Sequence, residues 1–179
     1  MKVFTFPNDR PGTHANVSVD SAVRLRNEPF FAPDGRQWAA RLFAGARIDR
    51  LGLAVAPKFA RRYYSALTVL AHPFVEGDNV EYEFSRDAAI MHNADIKLSD
   101  LPESMSVSVT GDATFSTEIS AEDLCRRLDS LLSEVSRCHT LKTGDIVALP
   151  LGLPLLPMAA RADYFVDVAG VSLLHLKSR

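Results

Sequence analysis

An α+β fold dominated by β-sheet, built as a single domain over residues 1–179, is what the sequence predicts, and three observations predict it. Short segments that alternate apolar and polar side chains recur along the chain, separated by turns rich in Gly, Asn, Asp and Pro. Two segments read as helices, and only the second is long with a clear apolar stripe. No internal repeat, low-complexity tract or flexible linker divides the chain.

The elements follow in order. Residues 2–6, Lys2-Val3-Phe4-Thr5-Phe6, read as a short strand, and a turn-rich stretch holding an isolated His14 comes next. Residues 17–26 alternate loosely and read as one strand, with Val17, Val19, Val23 and Leu25 as its apolar points. Pro29-Phe30-Phe31-Ala32-Pro33-Asp34-Gly35 reads as a turn. Residues 38–51 are weakly patterned and read as a strand, although their alanines also suit a helix. Residues 57–66 read as a helix with Pro57 in the first turn and Phe59, Tyr63 and Ala66 on one face. The apolar run 67–71 reads as a buried strand, and residues 80–84 alternate after the turn Gly77-Asp78-Asn79. Met105-Ser106-Val107-Ser108-Val109 alternates and turns through Thr110-Gly111-Asp112 into 113–117, a hairpin. The long helix covers 121–137, with Ser120 as its N-cap and Asp123 as the carboxylate reaching back. Its stripe of Leu124, Leu128, Leu131, Leu132 and Val135 predicts packing on a sheet that contains residues 146–149. Further strands are read at 164–168 and 171–176, joined at Ala169-Gly170.

Composition narrows the function classes. The chain is 47% hydrophobic and 23% charged, ordinary values for a soluble globular protein. A net charge of −2 supplies no overall basic field for nucleic acid or an anionic membrane. Arg61-Arg62 and Arg126-Arg127 sit in helix-like text and read as solvated faces. The longest apolar run, 146–160, is broken by Pro150, Pro154 and Pro157, so no segment spans a membrane. The start of the chain lacks a signal-peptide pattern. Cys125 and Cys138 form neither a disulfide framework nor a zinc pattern. Reduced thiols in a cytoplasmic protein are therefore the expectation.

Several stretches, in this order, resemble the fumarylacetoacetate hydrolase family, particularly its small bacterial members. They are Pro29-Phe30-Phe31-Ala32-Pro33-Asp34; Arg47-Ile48-Asp49-Arg50-Leu51-Gly52 with Ala56-Pro57-Lys58-Phe59-Ala60-Arg61-Arg62-Tyr63-Tyr64; the hairpin text Met105 to Asp112; and Ser136-Arg137-Cys138-His139-Thr140-Leu141-Lys142-Thr143-Gly144-Asp145-Ile146-Val147. The resemblance implies layered mixed β-sheets with a long amphipathic helix, as in the family's C-terminal domain. It also implies hydrolysis of a carbon–carbon bond in a diketo acid, or decarboxylation or isomerisation of a related oxo acid. In the family a Mg²⁺ or similar ion serves this chemistry, because a hard cation held by carboxylates stabilises a developing enolate. Homodimers are usual in the family, and the apolar passage 147–158 is a candidate for the subunit contact.

The family's site residues do not carry over. Its Glu-x-Glu pair belongs near Gln37-Trp38-Ala39-Ala40-Arg41-Leu42-Phe43, which holds no carboxylate. Its Asp falls on His72, and its Gly-Thr-Pro loop on Ala148-Leu149-Pro150-Leu151-Gly152-Leu153-Pro154. The N-terminal His–Glu passage has no counterpart around His14. The chain is therefore expected to bind no Mg²⁺ at the family position and to need no cofactor.

The cleft candidates are His72, Arg41, Glu81 and Glu83. Glu81-Tyr82-Glu83 places two carboxylates on one strand face, with Asp78 and His72 near in sequence, though exposed acids on a strand edge are the commoner arrangement. His72 is a possible ligand or base, yet a packed histidine is commoner. His92 and His139 lie in separate elements, and Cys138 beside His139 does not place thiol on imidazole. Arg41, Arg47 and Arg86 are suited to pair with a small carboxylate ligand. Two functions follow as expectations: a catalytically degenerate member serving binding or association, or an active enzyme on a small oxo acid with a rebuilt or metal-free site. A cleft filled by Trp38, Leu42 and Phe43 would favour the first.

Overall fold

A computed structural model describes residues 1–8, 13–25, 28–31, 36–75 and 89–179, and the statements below concern these residues. The strands are β1 (Lys2–Thr5), β2 (Asn16–Val19), β3 (Val23–Leu25), β4 (Trp38–Ile48), β5 (Tyr64–Val75), β6 (Ile90–Lys97), β7 (Ser104–Gly111), β8 (Phe115–Ser120), β9 (Ile146–Pro150), β10 (Leu156–Pro157), β11 (Asp163–Val168) and β12 (Val171–Lys177). The long helix is α1 (Ala121–Cys138). The larger sheet runs β2-β1-β9-β4-β5-β6-β3, with β10 paired to β4. It is mixed, because β1 lies parallel to β9 and β3 parallel to β6. The smaller sheet, β12-β11-β7-β8, is antiparallel.

The two edges of the larger sheet come together at one end, with no pairing between them among the described residues. Its two edge strands, β2 and β3, are joined by a 3-residue turn, Asp20–Ala22. The four chain steps from Val19 to Val23 span at most about 14 Å, so the edges must lie close together. The sheet is thereby rolled around one face. Val3, Val23, Phe43, Leu70, Ile90, Ile146 and Ala148 form the buried cluster on that face, drawing from strands at both ends of the sheet. Gly45 lies inside this roll, where a Cβ would come within 2.7 Å of Ile146 Cγ2.

The outer face of the roll carries the main core. Ala40, Leu42, Ala44 and Ala46 of β4, with Leu67, Val69 and Ala71 of β5, join the leucines of α1 and the inner residues of β7, β11 and β12. Central strands are thus buried on both faces, which explains the weak pattern of residues 38–51. The one-faced strand β7 shows clean alternation, with Met105, Val107 and Val109 inward.

The helix expectation holds. Leu124, Leu128, Leu131, Leu132 and Val135 are buried, and α1 packs on β9. Ser120 accepts from the Asp123 N–H at 3.3 Å, but the Asp123 carboxylate binds Arg126 at 2.5 Å instead of reaching back.

Two readings are corrected. Residues 17–26 are not one strand: the turn at Asp20–Ala22 splits them, and Ser18 points inward while Val17 and Val19 are exposed. The helix read at 57–66 is a 3₁₀ helix, Pro57–Tyr63, and ends three residues early, where Tyr64 begins pairing with β4 across a 12-residue strand. Within the apolar passage 147–158, Val147, Ala148, Leu149, Leu156 and Met158 are buried within the chain, while Gly152, Pro154, Leu155 and Pro157 are exposed. Residues 80–84 lie outside the described residues.

One polar cluster ties α1 to the 3₁₀ turn. Tyr64 donates to Asp129 at 2.9 Å, and Arg61 pairs with the same carboxylate at 3.0 Å. Burial, then Cys125 and Asp129 beside it, pushes the Tyr64 hydroxyl far above the usual phenol range, so it remains a donor. Asp129→Ala is expected to destabilise by about 1–3 kcal/mol, because it strips a buried hydroxyl of its nearer acceptor. Thermal melting checks this against Glu122→Ala, which removes an exposed partner of Arg61 and should cost under about 1 kcal/mol.

Candidate functional site

The register of β4 on β5 sets Arg41 directly opposite His72. The pairs on either side facing the same way are Phe43 with Leu70, inside the roll, and Ala39 with Phe74. Arg41 and His72 therefore form a polar layer between these two apolar pairs. The Arg41 guanidinium lies 5.5 Å above the Phe74 ring, and the His72 ring stacks on the same phenyl at 5.9 Å. His72 is buried and Arg41 partly exposed. Among the described residues no carboxylate pairs with Arg41.

The structure thus brings together two of the four sequence candidates. Glu81 and Glu83 lie outside the described residues, as do Asp78 and Arg86. Trp38 and Leu42 face the outer core, so of the three residues expected to fill a collapsed cleft only Phe43 occupies the roll. Arg47 is engaged elsewhere. Among the described residues no three His, Cys, Asp or Glu side chains converge on a point that would hold a metal.

A second polar group was not foreseen. His92 Nε2 meets Asp95 Oδ1 at 3.0 Å, and Arg47 Nε reaches the other oxygen of Asp95 at 3.3 Å. Burial works against an ionised Asp95, yet the His92 hydrogen bond and the Arg47 guanidinium hold its carboxyl below the usual range. Residues three apart on a regular strand face opposite ways. The shift in register between Thr68 and Leu70 sets β6 one residue out of step, which puts His92 and Asp95 on the same side. His92 is buried opposite Leu70, and its Nδ1 has no hydrogen-bond partner among the described residues.

The other motif residues are structural. Asp145 is buried and accepts from Lys2 N at 2.7 Å and Lys142 N at 2.9 Å, fixing the start of β1 to the turn before β9. His139 packs on Phe4, Cys138 is exposed, and Cys125 is buried. No described helix is long and apolar enough to cross a membrane.

No sequence-family profile matches the chain, and no curated protein is similar to it in sequence. Solved structures do match. A protein of the fumarylacetoacetate hydrolase family from Yersinia pestis superimposes with a TM-score of 0.81, at 14% identity over 99% of this chain and 92% of that one. Fumarylpyruvate hydrolase from Pseudomonas aeruginosa, solved with Mn²⁺ and pyruvate, gives 0.78 at 14% identity over 99% and 89%. The 5-carboxymethyl-2-hydroxymuconate delta-isomerase of Mycobacterium smegmatis gives 0.79 at 13% over 98% and 77%. The chain therefore has the fold of the fumarylacetoacetate hydrolase family proteins.

Proposed function

We propose that this chain is a divergent member of that family which has given up its metal centre and serves binding or association, taking a small carboxylate at the mouth of the roll without an ion. The observation that carries the reading is Arg41: a partly exposed guanidinium, opposite His72, with no acidic partner among the described residues. The family's three carboxylates bring about three negative charges to a hard dication. Here the inward positions near His72 on β4 are Ala39, Arg41 and Phe43, which supply no oxygen ligand and one fixed positive charge. That set does not fit Mg²⁺, and imidazole suits softer ions. It fits an anion. A guanidinium stacked on a phenyl ring keeps its edge N–H groups for a carboxylate fork.

Calorimetric titration with oxalate tests this. Binding is expected to be the same with EDTA or with Mg²⁺ present, and to weaken at least about tenfold in Arg41→Met, a loss of about 1.4 kcal/mol. Oxalate binding that requires Mg²⁺ would contradict the proposal. A homodimer in the cytoplasm completes the reading, and the family's usual pairing supports the dimer.

A second reading, an active metal-free hydrolase, decarboxylase or isomerase on a small oxo acid, is favoured by one observation. Asp95 pairs with His92 Nε2, and the buried His92 Nδ1 has no hydrogen-bond partner among the described residues, a position from which an imidazole can act as a base.

A further inference from the structure

Where β11 begins and β12 ends, the smaller sheet carries an open hollow of about 660 Å³, lined by residues 160–163 and 177–179. The frame beneath it is tied down. Ala162 N donates to Ala159 O at 3.1 Å and to Ser178 Oγ at 2.8 Å, and Ser178 N donates to Ala162 O at 2.9 Å. Phe30 N donates to Lys177 O at 2.7 Å, and Arg179 N donates to Phe30 O at 2.8 Å. Ala162 and Ser178 are buried, so the backbone of the hollow is part of the folded body. One residue of the frame is strained. The bond from Ala162 N to Ala159 O closes a four-residue turn whose third position, Arg161, holds φ at 67°. Glycine takes that conformation without steric cost, and a residue with a Cβ does not. Arg161 stands there with its side chain exposed. Strain of this kind persists where surrounding contacts enforce it, and it clusters at ligand clamps.

Three cations line the hollow, Arg161, Lys177 and Arg179, and none has an acidic partner among the described residues. The one carboxylate on the lining, Asp163, is engaged by His175 Nε2 at 2.6 Å, and the His175 ring is held by stacking on Phe165 at 4.0 Å. Other arginines of the chain are paired: Arg47 with Asp95, Arg50 with Asp49, Arg61 with Asp129, Arg126 with Asp123 and Arg137 with Glu134. On a chain of net charge −2, three unpaired cations around one hollow form a local positive field. An anion is the complement, and the lining narrows its kind. One guanidinium fork already satisfies a monocarboxylate. A phosphate ester carries a charge of about −1.5 to −2 at neutral pH and three acceptor oxygens, enough to engage several cations at once. Lysine among them suits phosphate, which an ammonium binds as a point charge. The apolar side chains on the lining are Ala160 and Ala162 alone, so a docking peptide or an inserting acyl chain finds no anchor.

We propose that residues 160–163 and 177–179 form a second ligand site, which takes the phosphate group of a small soluble phosphate ester between Arg161, Lys177 and Arg179. The inference rests neither on Arg41 nor on the roll.

Calorimetric titration of the full chain with inorganic pyrophosphate, in EDTA, tests it. Pyrophosphate is expected to bind, more weakly as salt rises. Arg161→Glu combined with Lys177→Glu is expected to weaken it at least about tenfold. Two variants are expected to leave it unchanged: Lys58→Glu with Arg62→Glu, which reverses the same amount of exposed charge on the 3₁₀ turn, and Arg41→Met. Arg161→Gly separates binding from structure. It relieves the left-handed φ, so it should melt no lower than the wild type while binding at least about threefold more weakly. Wild-type affinity in Arg161→Gly with a lowered melting temperature would make Arg161 a structural residue and overturn the proposal. So would no binding of pyrophosphate, or an equal loss in the Lys58 and Arg62 pair, which would mean diffuse surface charge. Loss in Arg41→Met alone would place the anion in the roll, and stronger binding to vesicles of phosphatidylcholine and phosphatidic acid would mean a membrane headgroup; either overturns it. Failure of the oxalate response with pyrophosphate binding intact removes the Arg41 site and leaves this one standing.

Discussion

In an acylpyruvate cleavage assay with Mg²⁺ or Mn²⁺, the protein is expected to show no metal-dependent turnover. An enolate leaving group needs a strong, fixed positive charge, and the family's ion supplies several kcal/mol of that stabilisation. At about 1.4 kcal/mol for each factor of ten, its loss removes several powers of ten in rate. Arg41 is a poor substitute, since a single delocalised charge lying on a phenyl ring lacks the dication's field. Metal-dependent turnover above about 1 per second, the low end of ordinary enzymes, would mean that the site has moved and not vanished. Glu81 and Glu83 would then be the first residues to mutate. Turnover that survives a chelator and depends on His92 would support the metal-free enzyme instead.

Leu128→Asp is expected to abolish cooperative folding. Leu128 is fully buried at the centre of the α1 stripe, within the core shared by the outer face of the roll and the smaller sheet. Truncating a buried leucine leaves a void worth about 2–5 kcal/mol. Burying a carboxylate there without a partner adds several more, or forces the helix off the sheet. A domain of this kind has about 5–15 kcal/mol of stability in total, so little is left. Circular dichroism and soluble yield check the result, with Ser130→Asp on the exposed side of α1 as the control. A soluble variant that melts like the wild type would mean that the helix does not pack as described.

Legibility in the sequence followed burial geometry. Elements with one face in the core announced themselves: α1 by its leucines, β7 and β8 by alternation. Strands buried on both faces, such as β4 and β5, carry no period and read as featureless apolar text. The roll was invisible, because it depends on the turn at Asp20–Ala22 bringing β2 near β3 and on β1 pairing with β9 across most of the chain. Val17 and Val19 misled because their hydrophobicity is spent on solvent while Ser18 turns inward. For the site, the resemblance singled out His72 and composition supplied Arg41, but only the strand register shows them face to face. The His92–Asp95 pair had no sequence signal, since an irregularity in pairing creates it.

An anion receptor in place of a metal centre is what we propose for this fold. Crystals grown with Mn²⁺ and oxalate test it most directly, by diffraction data collected at the manganese absorption edge. Oxalate is expected on the Arg41 guanidinium, with no anomalous peak beside His72. A manganese peak at His72 completed by carboxylate oxygens, with oxalate chelating the ion, would contradict it.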